Sequence, residues 1–421
     1  MTAATISLDR TGVGADFPKT SSTNLQGARL SQSGTEPRTL KLSFVSERAA
    51  FDALEAEWNA LFERTATSKQ LFQSFNWLWH WCNHYQDEAA VTKLAILTGR
   101  IDGRLVMVWP LVRETASGIT ELTWMGDPLS QYGDVLAECG EDANRFLAEA
   151  WEFIRSNAGA DVVRLRKVRA DARIAPLLAS LNGLVTERLE APFLDLASAS
   201  NFAEYEKRYS GGTRRNRKRL FRRLDEQGAI TMEEYEGGSK VRELVETAVA
   251  LKRRWLRSRG LVSKAYADDR IIGFFSDAAA SVERSTGCRV AVLSTAGRPV
   301  AIEVALKCKD RVALHIVVFD LDFEKSGAGV LLLEQSIRNA ANTGTACYDL
   351  LAPGDSYKMD WADGTVGVED WALPLSLKGR IYSRVYLGFV RERLKAAHAA
   401  LPDSMRRAIA DRVSRIAAAA A

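Results

Sequence analysis

Histidine is scarce in this chain of 421 residues, with four in total, and cysteine is little used, with five. None of Cys82, Cys139, Cys288, Cys308 and Cys347 stands in a C-x-x-C pair. That leaves out a paired-cysteine metal site or dithiol motif, and the mostly apolar, strand-like surroundings suit buried thiols in a reducing compartment. His80 and His84 stand i,i+4 and could share a metal, but no third ligand follows at a suitable spacing. No metal is expected. Long apolar runs are missing too, and the N-terminus has no apolar signal core, which predicts a cytoplasmic protein, or one peripheral on the inner membrane face. Net charge is small, formally +4, and gives no global case for nucleic acid or membrane.

What is present is a globular composition, 47% hydrophobic and 26% charged, on a chain long enough for two or three domains. Residues 1–38 are rich in Ser, Thr, Gly and Ala without a sustained period and read as a disordered leader. Folded sequence begins with the strand-like Leu40 to Val45 and a helix from Ala49 to about Arg64, with Leu54, Trp58 and Leu61 on one stripe. The segment Phe75 to Trp81 is dense in aromatics, as a helical core would be, or a carbohydrate or cofactor platform. A hairpin follows over Lys93 to Arg113, turning at Asp102-Gly103, then strands near Leu122 and Tyr132, a helix over Asp142 to Asn157 and a strand from Asp161 to Val168. The same order returns about 190 residues later, where Thr295-Ala296-Gly297-Arg298 answers Ile101-Asp102-Gly103-Arg104. Two related α/β units in tandem are expected, at 39–195 and 196–380.

The second unit holds the most organised stretch. A β-type run from Val312 to Phe319 passes through an acidic bend into Ser326-Gly327-Ala328-Gly329, and a helix follows with Val330, Leu333, Ile337, Ala340 and Ala341 on one face. It ends at Gly344, and a short strand, Ala346 to Leu351, leads to the Pro353-Gly354 turn. Small residues at a helix start bring a ligand near the backbone, and free N–H groups with the helix dipole favour an anion such as phosphate there. An ordinary turn of a βαβ unit would look the same, and neither G-x-G-x-x-G nor a Gly-Lys-Ser/Thr ending is present.

Charge is concentrated in two places. Lys207 to Arg223 has nine basic residues and no acidic one. Within a basic helix spanning 207–228, Thr213 can cap and Leu220, Phe221 and Leu224 can face inward. Arg214, Arg215, Arg217 and Lys218 are then either a solvated face or a site for an anionic substrate or cofactor, with nucleic acid a further possibility. A second helix, Val241 to Arg259, turns Leu244, Val245, Ala248, Leu251 and Trp255 to a core. The tail 381–421 reads as two amphipathic helices broken at Pro402, the second with Met405, Ile409, Val413 and Ile416 on one face and Arg406, Arg407, Arg412 and Arg415 around the other. It suits either an anionic membrane surface or docking on the protein's own domain.

The paired halves, the run Arg214-Arg215-Asn216-Arg217-Lys218-Arg219, the Ser326-Gly327-Ala328-Gly329 helix start and the ending Tyr348-Asp349 … Tyr357-Lys358 resemble the GNAT acetyltransferase superfamily. Within it they look most like the CelD/BcsL group with its BioF-like acetyltransferase domain, related to the FemAB-type aminoacyltransferases. The resemblance runs from about Leu40 to Arg380 and is strongest in the second half. It implies tandem GNAT-like domains of α/β (α+β) class with mixed central sheets flanked by helices, and acyl transfer from acetyl-CoA, or another acyl-CoA, without metal. In this superfamily the pyrophosphate sits on backbone amides at a helix start, a role that carries over to Ser326, Gly327, Ala328, Gly329 and Val330. The superfamily's turn opens on Gln or Arg, where this chain has Glu324.

Direct attack needs a base for the acceptor and a donor for the leaving thiolate. Glu303, among apolar neighbours in the strand Val300 to Lys307, is a candidate base, or a surface carboxylate of that strand. His315 is a second candidate, or a satisfied core histidine. Tyr348 and Tyr357 could donate to the thiolate. Asp349 and Lys358 would form a site-lining charge pair, or a structural salt bridge. The expected activity is an acyl-CoA-dependent N- or O-acyltransferase acting on a small-molecule or glycan-precursor acceptor, an exopolysaccharide or cell-envelope intermediate by the CelD likeness. The alternatives are a FemAB-like transferase using aminoacyl-tRNA, and a non-catalytic, membrane-peripheral regulatory or scaffold protein of the same fold, for which Glu324 is the argument.

Overall fold

The computed structural model describes residues 39–86, 92–402, 404–409 and 412. The leader 1–38 and, in the tail, Asp403, Val413, Arg415 and Ile416 lie outside the described residues. The first half supplies β1 (Lys41–Val45), β2 (Thr92–Leu94), β3 (Ile96–Ile101), β4 (Arg104–Trp109), β5 (Leu111–Ala116), β6 (Ile119–Trp124), β7 (Leu136–Ala137), β8 (Val162–Arg169) and β9 (Leu184–Asp195). The second supplies β10 (Ile230–Tyr235), β11 (Cys288–Thr295), β12 (Arg298–Cys308), β13 (Arg311–Phe319), β14 (Cys347–Asp349) and β15 (Gly364–Pro374).

The hairpin expected over Lys93 to Arg113 is cut more finely than its alternation suggests. Ala95 and Pro110 interrupt its arms, and proline has no N–H for a ladder. β3 and β4 therefore make the hairpin of a four-stranded sheet ordered β1-β3-β4-β7, while β2 and β5 pair in a second sheet.

The tandem repeat is visible in backbone detail. Asp102 and Gly103 have φ of 50° and 82°, and Ala296 and Gly297 have 49° and 75°, the positive pair that a tight hairpin turn of matching twist requires. Both hairpins shift register just before the turn, between Gly99 and Arg100 and between Leu293 and Ser294. Each unit then crosses over through a helix to a parallel strand: β6 to β8 through Ala143–Asn157, and β13 to β14 through Ala328–Asn342.

The two units share one sheet of eleven strands, ordered β10-β11-β12-β13-β14-β9-β15-β8-β6-β5-β2. β15, late in the chain, returns to lie between β9 and β8, so residue 195 ends a strand inside this sheet. The aromatic helix Phe75–Tyr85 is core: Trp77 and Trp81 are buried, and Trp77 meets Phe274 of the helix Arg270–Ala280 edge-on at 4.8 Å. His80 Nε2 lies 3.1 Å from the Arg284 carbonyl, and His84 Nε2 lies 2.8 Å from Asp277 Oδ2, so each ring is held separately by the second half.

Asp349 ties the halves together. Its buried carboxylate accepts from Tyr132 (2.8 Å) and Arg169 (3.2 Å) of the first half, and from Arg311 (2.8 Å) and the Leu351 amide (2.9 Å) of the second. Every acceptor position is used by groups that burial has removed from water. Asp349→Ala strands the Arg311 guanidinium, leaves Arg169 with Asp171 alone, and is expected to cost roughly 3–5 kcal/mol of stability, read as a lowered urea midpoint at unchanged slope. A loss below about 1 kcal/mol, the worth of a surface pair, would show that the halves are held elsewhere.

Candidate functional site

The stretch between β13 and β14 positions the site. Asp320 begins a bend by accepting the Asp322 amide at 3.2 Å, two turns of 3-10 helix run from Leu321 to Ser326, and Gly327 takes the left-handed conformation at φ 70°. The helix Ala328–Asn342, here the turn helix, starts there and buries Leu332, Leu333, Ile337 and Ala340 against β11, β12 and β13. Val330, expected on that buried face, is exposed instead. The helix begins one residue after Gly327, and this phase gives the inner face to Leu332 and Leu333.

No side chain caps the turn helix at Gly327, so the N–H groups of its first turn are left for another partner. Ser326 and Ala328 are buried, whereas Gly327, Gly329 and Val330 reach the surface. The two glycines are also demanded by the chain's own packing. A Cβ on Gly327 would lie 2.7 Å from Leu220, and one on Gly329 would lie 2.8 Å from the Phe319 ring.

Leu220 belongs to the basic helix Gly211–Asp225, which lies across the turn helix and ties to its entrance. Arg223 Nη1 donates to the Lys325 carbonyl at 2.9 Å, and Gln227 Nε2 to Ser326 Oγ at 2.6 Å. Ser210, rather than Thr213, caps this helix, its Oγ accepting the Thr213 amide at 3.0 Å. Phe221, expected to face inward, is 50% exposed, because the inward seam runs through Arg217, Leu220 and Leu224. The acidic bend is met by cations: Arg259 donates to Glu324 at 2.8 Å, Arg254 contacts Asp320 and Asp322 at 3.3 and 3.6 Å, and Arg298 reaches the same two carboxylates.

Beside this entrance the sheet opens. β13 and β14 pair over three residues only, from Arg311↔Cys347 to Ala313↔Asp349. Beyond them β13 runs on to Phe319, while the other chain leaves through Leu351 at φ 59° and the Leu350 amide bonds to Pro192 of the β9 side at 2.9 Å. The positive φ of a branched residue in this place is strain held by its surroundings. A bulge falls at the same level, since Val304 opposes Ile316 and Ala305 opposes Leu314, leaving His315 without a partner residue on β12.

The residues singled out from sequence fall on two faces of the sheet. Glu303 and Tyr348 lie on the face covered by the turn helix, where the Tyr348 hydroxyl donates to Glu303 Oε1 at 2.8 Å across β13. Both are fully buried, and burial raises the carboxyl above its usual range, opposed by Arg289 and the tyrosine bond. The hydroxyl expected to serve a thiolate is thus committed to Glu303. Asp349, His315 and Lys358 lie on the opposite side. Asp349 binds Arg169 and Arg311 rather than Lys358, because β14 aims its carboxylate at the junction of the halves. His315 packs among Phe72, Trp77 and Phe275 with Nε2 2.7 Å from the Leu129 carbonyl. Burial, opposed by that bond, pushes its imidazole down to about 4, so the ring is neutral near pH 7 and Nδ1 is its open nitrogen.

Lys358 is held by the segment that leaves β14. Its Nζ donates to the carbonyls of Leu351 and Pro353 at 3.0 and 3.1 Å, the chain that turns away from β13, with Asp355 at 4.0 Å. Burial, partly offset by Asp355, brings the amine down to about 8. Tyr357 beside it is 42% exposed. Lys167 was not legible from sequence. It stands at φ 55° inside β8, donates to the Ser130 carbonyl at 3.1 Å and to Gln131 Oε1 at 2.9 Å, and is likewise brought to about 8 by burial. Nothing local marks it, because its backbone is pinned by Asp370 of β15, which accepts its amide at 2.8 Å.

Arg214, Arg215, Arg217 and Lys218 all line one groove of about 800 Å³ between the basic and turn helices, floored by Met232 and Leu293. Arg217 is buried in it, stacked 4.0 Å from Tyr209 and 3.7 Å from Trp361, with Glu334 at 3.9 Å. Arg214, Arg215 and Lys218 are exposed and form no ion pair with an acidic side chain among the described residues.

Residues 211–359 match the family described as Acetyltransferase (GNAT) domain. No curated protein matches the chain. Among solved structures, FemX is similar over 82% of this chain and 99% of its own, at 12% identity and a TM-score of 0.55. The C-terminal DUF2156 domain of a putative lysylphosphatidylglycerol synthetase from Agrobacterium fabrum is similar over 79% of this chain and 94% of its own, at 13% identity and 0.49. A tandem GNAT protein of the clavulanic acid pathway is similar over 80% and 99%, at 14% identity and 0.44. The described chain has a tandem GNAT-like fold, and its residues 211–359 match the GNAT acetyltransferase domain, which supports an acyltransferase.

Proposed function

We propose that the protein moves an acyl group directly from a coenzyme A thioester to an amine or hydroxyl of a cell-envelope or exopolysaccharide intermediate. The observation that carries this reading is the parting of β13 from β14 after three paired residues, beside a helix start that no side chain caps. The first-turn amides at Gly329 and Val330 would take the pyrophosphate, with Arg223 beside them. Glu324, the one sequence feature against phosphate, carries Arg259 as its counter-charge. The groove holding Arg214, Arg215 and Lys218 suits an anionic portion of donor or acceptor.

In the transfer, the acceptor's nitrogen or oxygen attacks the thioester carbonyl, the carbon–sulfur bond breaks and the sulfur leaves as thiolate. Lys358, neutral in a sizeable fraction near pH 8, takes the acceptor's proton, and the ammonium so formed gives it to the leaving thiolate; the Tyr357 hydroxyl, which burial makes a weaker acid, donates a hydrogen bond to the sulfur. His315, neutral and packed among aromatics, positions the bulge of β13 rather than carrying charge. A second reading has one observation of its own: the exposed, unpaired cations of the basic helix also suit the phosphates of an aminoacyl-tRNA. A melting-temperature titration with acetyl-CoA, coenzyme A and tRNA at two salt concentrations separates the two. A shift with either thioester or thiol and none with tRNA supports the first, and a salt-steep shift with tRNA alone overturns it.

Val330→Asp tests the phosphate contact without disturbing the packed glycines. An acidic residue in a first helical turn leaves the fold as stable or slightly more so, while coenzyme A affinity is expected to fall at least about tenfold through charge repulsion, as measured by calorimetry. Unchanged affinity would refute the site. The buried lysine gives a pH signature. Its folded value of about 8 lies below the ordinary 10.5, so the unfolded chain binds more protons between those limits and stability rises with pH across that window. Lys358→Met is expected to remove that contribution, up to about 1 kcal/mol per pH unit, in unfolding curves taken at pH 8 to 10. A rise identical to that of the parent protein would show that Lys358 titrates normally.

A further inference from the structure

The helical segment after β15 is anchored on one side and bare on the other. Leu377–Ile381, a π-helical stretch Tyr382–Val390 and Arg391–Ala400 follow one another with helical backbone at both joins. Gly379, Ser383 and Leu387 form the inner seam. Gly379 sits so close to the sheet that a Cβ would lie 1.8 Å from the Asp161 carbonyl, and Leu387 packs with Val162 and Ala372. Ser376 caps the start by accepting the Gly379 amide at 3.0 Å and donates to Asp161 at 2.7 Å, while Arg391 and Lys395 hold Glu187 at 3.3 and 2.9 Å.

The opposite seam is apolar and open to solvent. Leu377, Ile381, Val385 and Phe389, each four residues from the last, are 73%, 58%, 53% and 53% exposed. A row of large apolar side chains on a helix already fixed by its other face calls for an apolar partner. The charges identify which. Between Leu377 and Ala400 there are six Lys/Arg and one acidic residue, Glu392. Arg380 and Arg384, adjacent to Ile381 and Val385, and Arg393, stacked 4.1 Å over Phe389, have no acidic partner among the described residues. A second copy of this face would set cation against cation, whereas an anionic lipid surface meets both the apolar row and its basic flank.

We infer that the helix 377–394 lays the protein on an anionic bilayer surface, with Leu377, Ile381, Val385 and Phe389 in the acyl boundary and Arg380, Arg384 and Arg393 at the headgroups. The sequence had pointed to the tail 381–421; the exposed row lies at its start and begins just before it, at Leu377. The inference is independent of the acyl-transfer reading.

The test uses the full chain in flotation with phosphatidylcholine vesicles, with and without phosphatidylglycerol. Binding is expected only with phosphatidylglycerol and is expected to weaken with added salt. The combined variant Ile381→Ser, Val385→Ser, Phe389→Ser should lower partitioning at least tenfold at unchanged melting temperature, and Arg380→Gln with Arg384→Gln and Arg393→Gln should lower it severalfold at low salt. Failure to float with anionic vesicles, or binding that both variants retain, would overturn the inference. So would a concentration-dependent dimer of the parent protein that the serine variant abolishes, since the face would then belong to a second copy.

Discussion

Everything in this fold leans on the carboxylate of Asp349 at the junction of the two units. A buried charge is costly unless each of its acceptor positions is filled, and here they are filled from both sides, by Tyr132 and Arg169 on one and by Arg311 and the Leu351 amide on the other. β15 completes the join by inserting between β9 and β8. Two similar units thus share one eleven-stranded sheet, and the strand at the join, β14, is the strand that parts from β13 after three paired residues. The junction that stabilises the protein also sets the place of the proposed site.

Among the described residues, the two non-glycine positions at positive φ outside hairpin turns lie there. Leu351 and Lys167 are both held at positive φ, one where the chain leaves β14 and the other in β8. Each is fixed by long-range bonds to the central strands: the Leu350 amide to Pro192 and the Lys167 amide to Asp370. Two lysines on that side are brought to about 8 by burial. Structural residues fill the other face, where the Glu303–Tyr348 bond closes the space under the turn helix.

Much of the architecture was written locally. The tandem order, the two matching hairpin turns, the aromatic core helix and the strand-glycine-helix stretch follow from periodicity and turn residues, and all four stand in the structure. The misses share one cause. Phe221 and Val330 were placed on inner faces by spacing alone, whereas a helix's phase depends on where it starts and what it packs upon. Asp349 and Lys358 were paired because both match the end of the FemAB-like pattern, yet β14 turns one into the junction and the other bonds to the Leu351 carbonyl. Glu324 looked hostile to phosphate until Arg259, sixty-five residues away in sequence, stood beside it.

By itself the sequence determined the element types, the repetition and the bare glycine entrance to a helix, because these rest on short-range sterics and hydrophobic period. Only the tertiary structure decided that β15 fuses the halves, that the basic helix lies over the glycine entrance, and that the apolar row beginning at Leu377 faces outward. Each of those depends on which distant strand or helix lies alongside, and the free energy of that choice is spread over contacts that no local window contains.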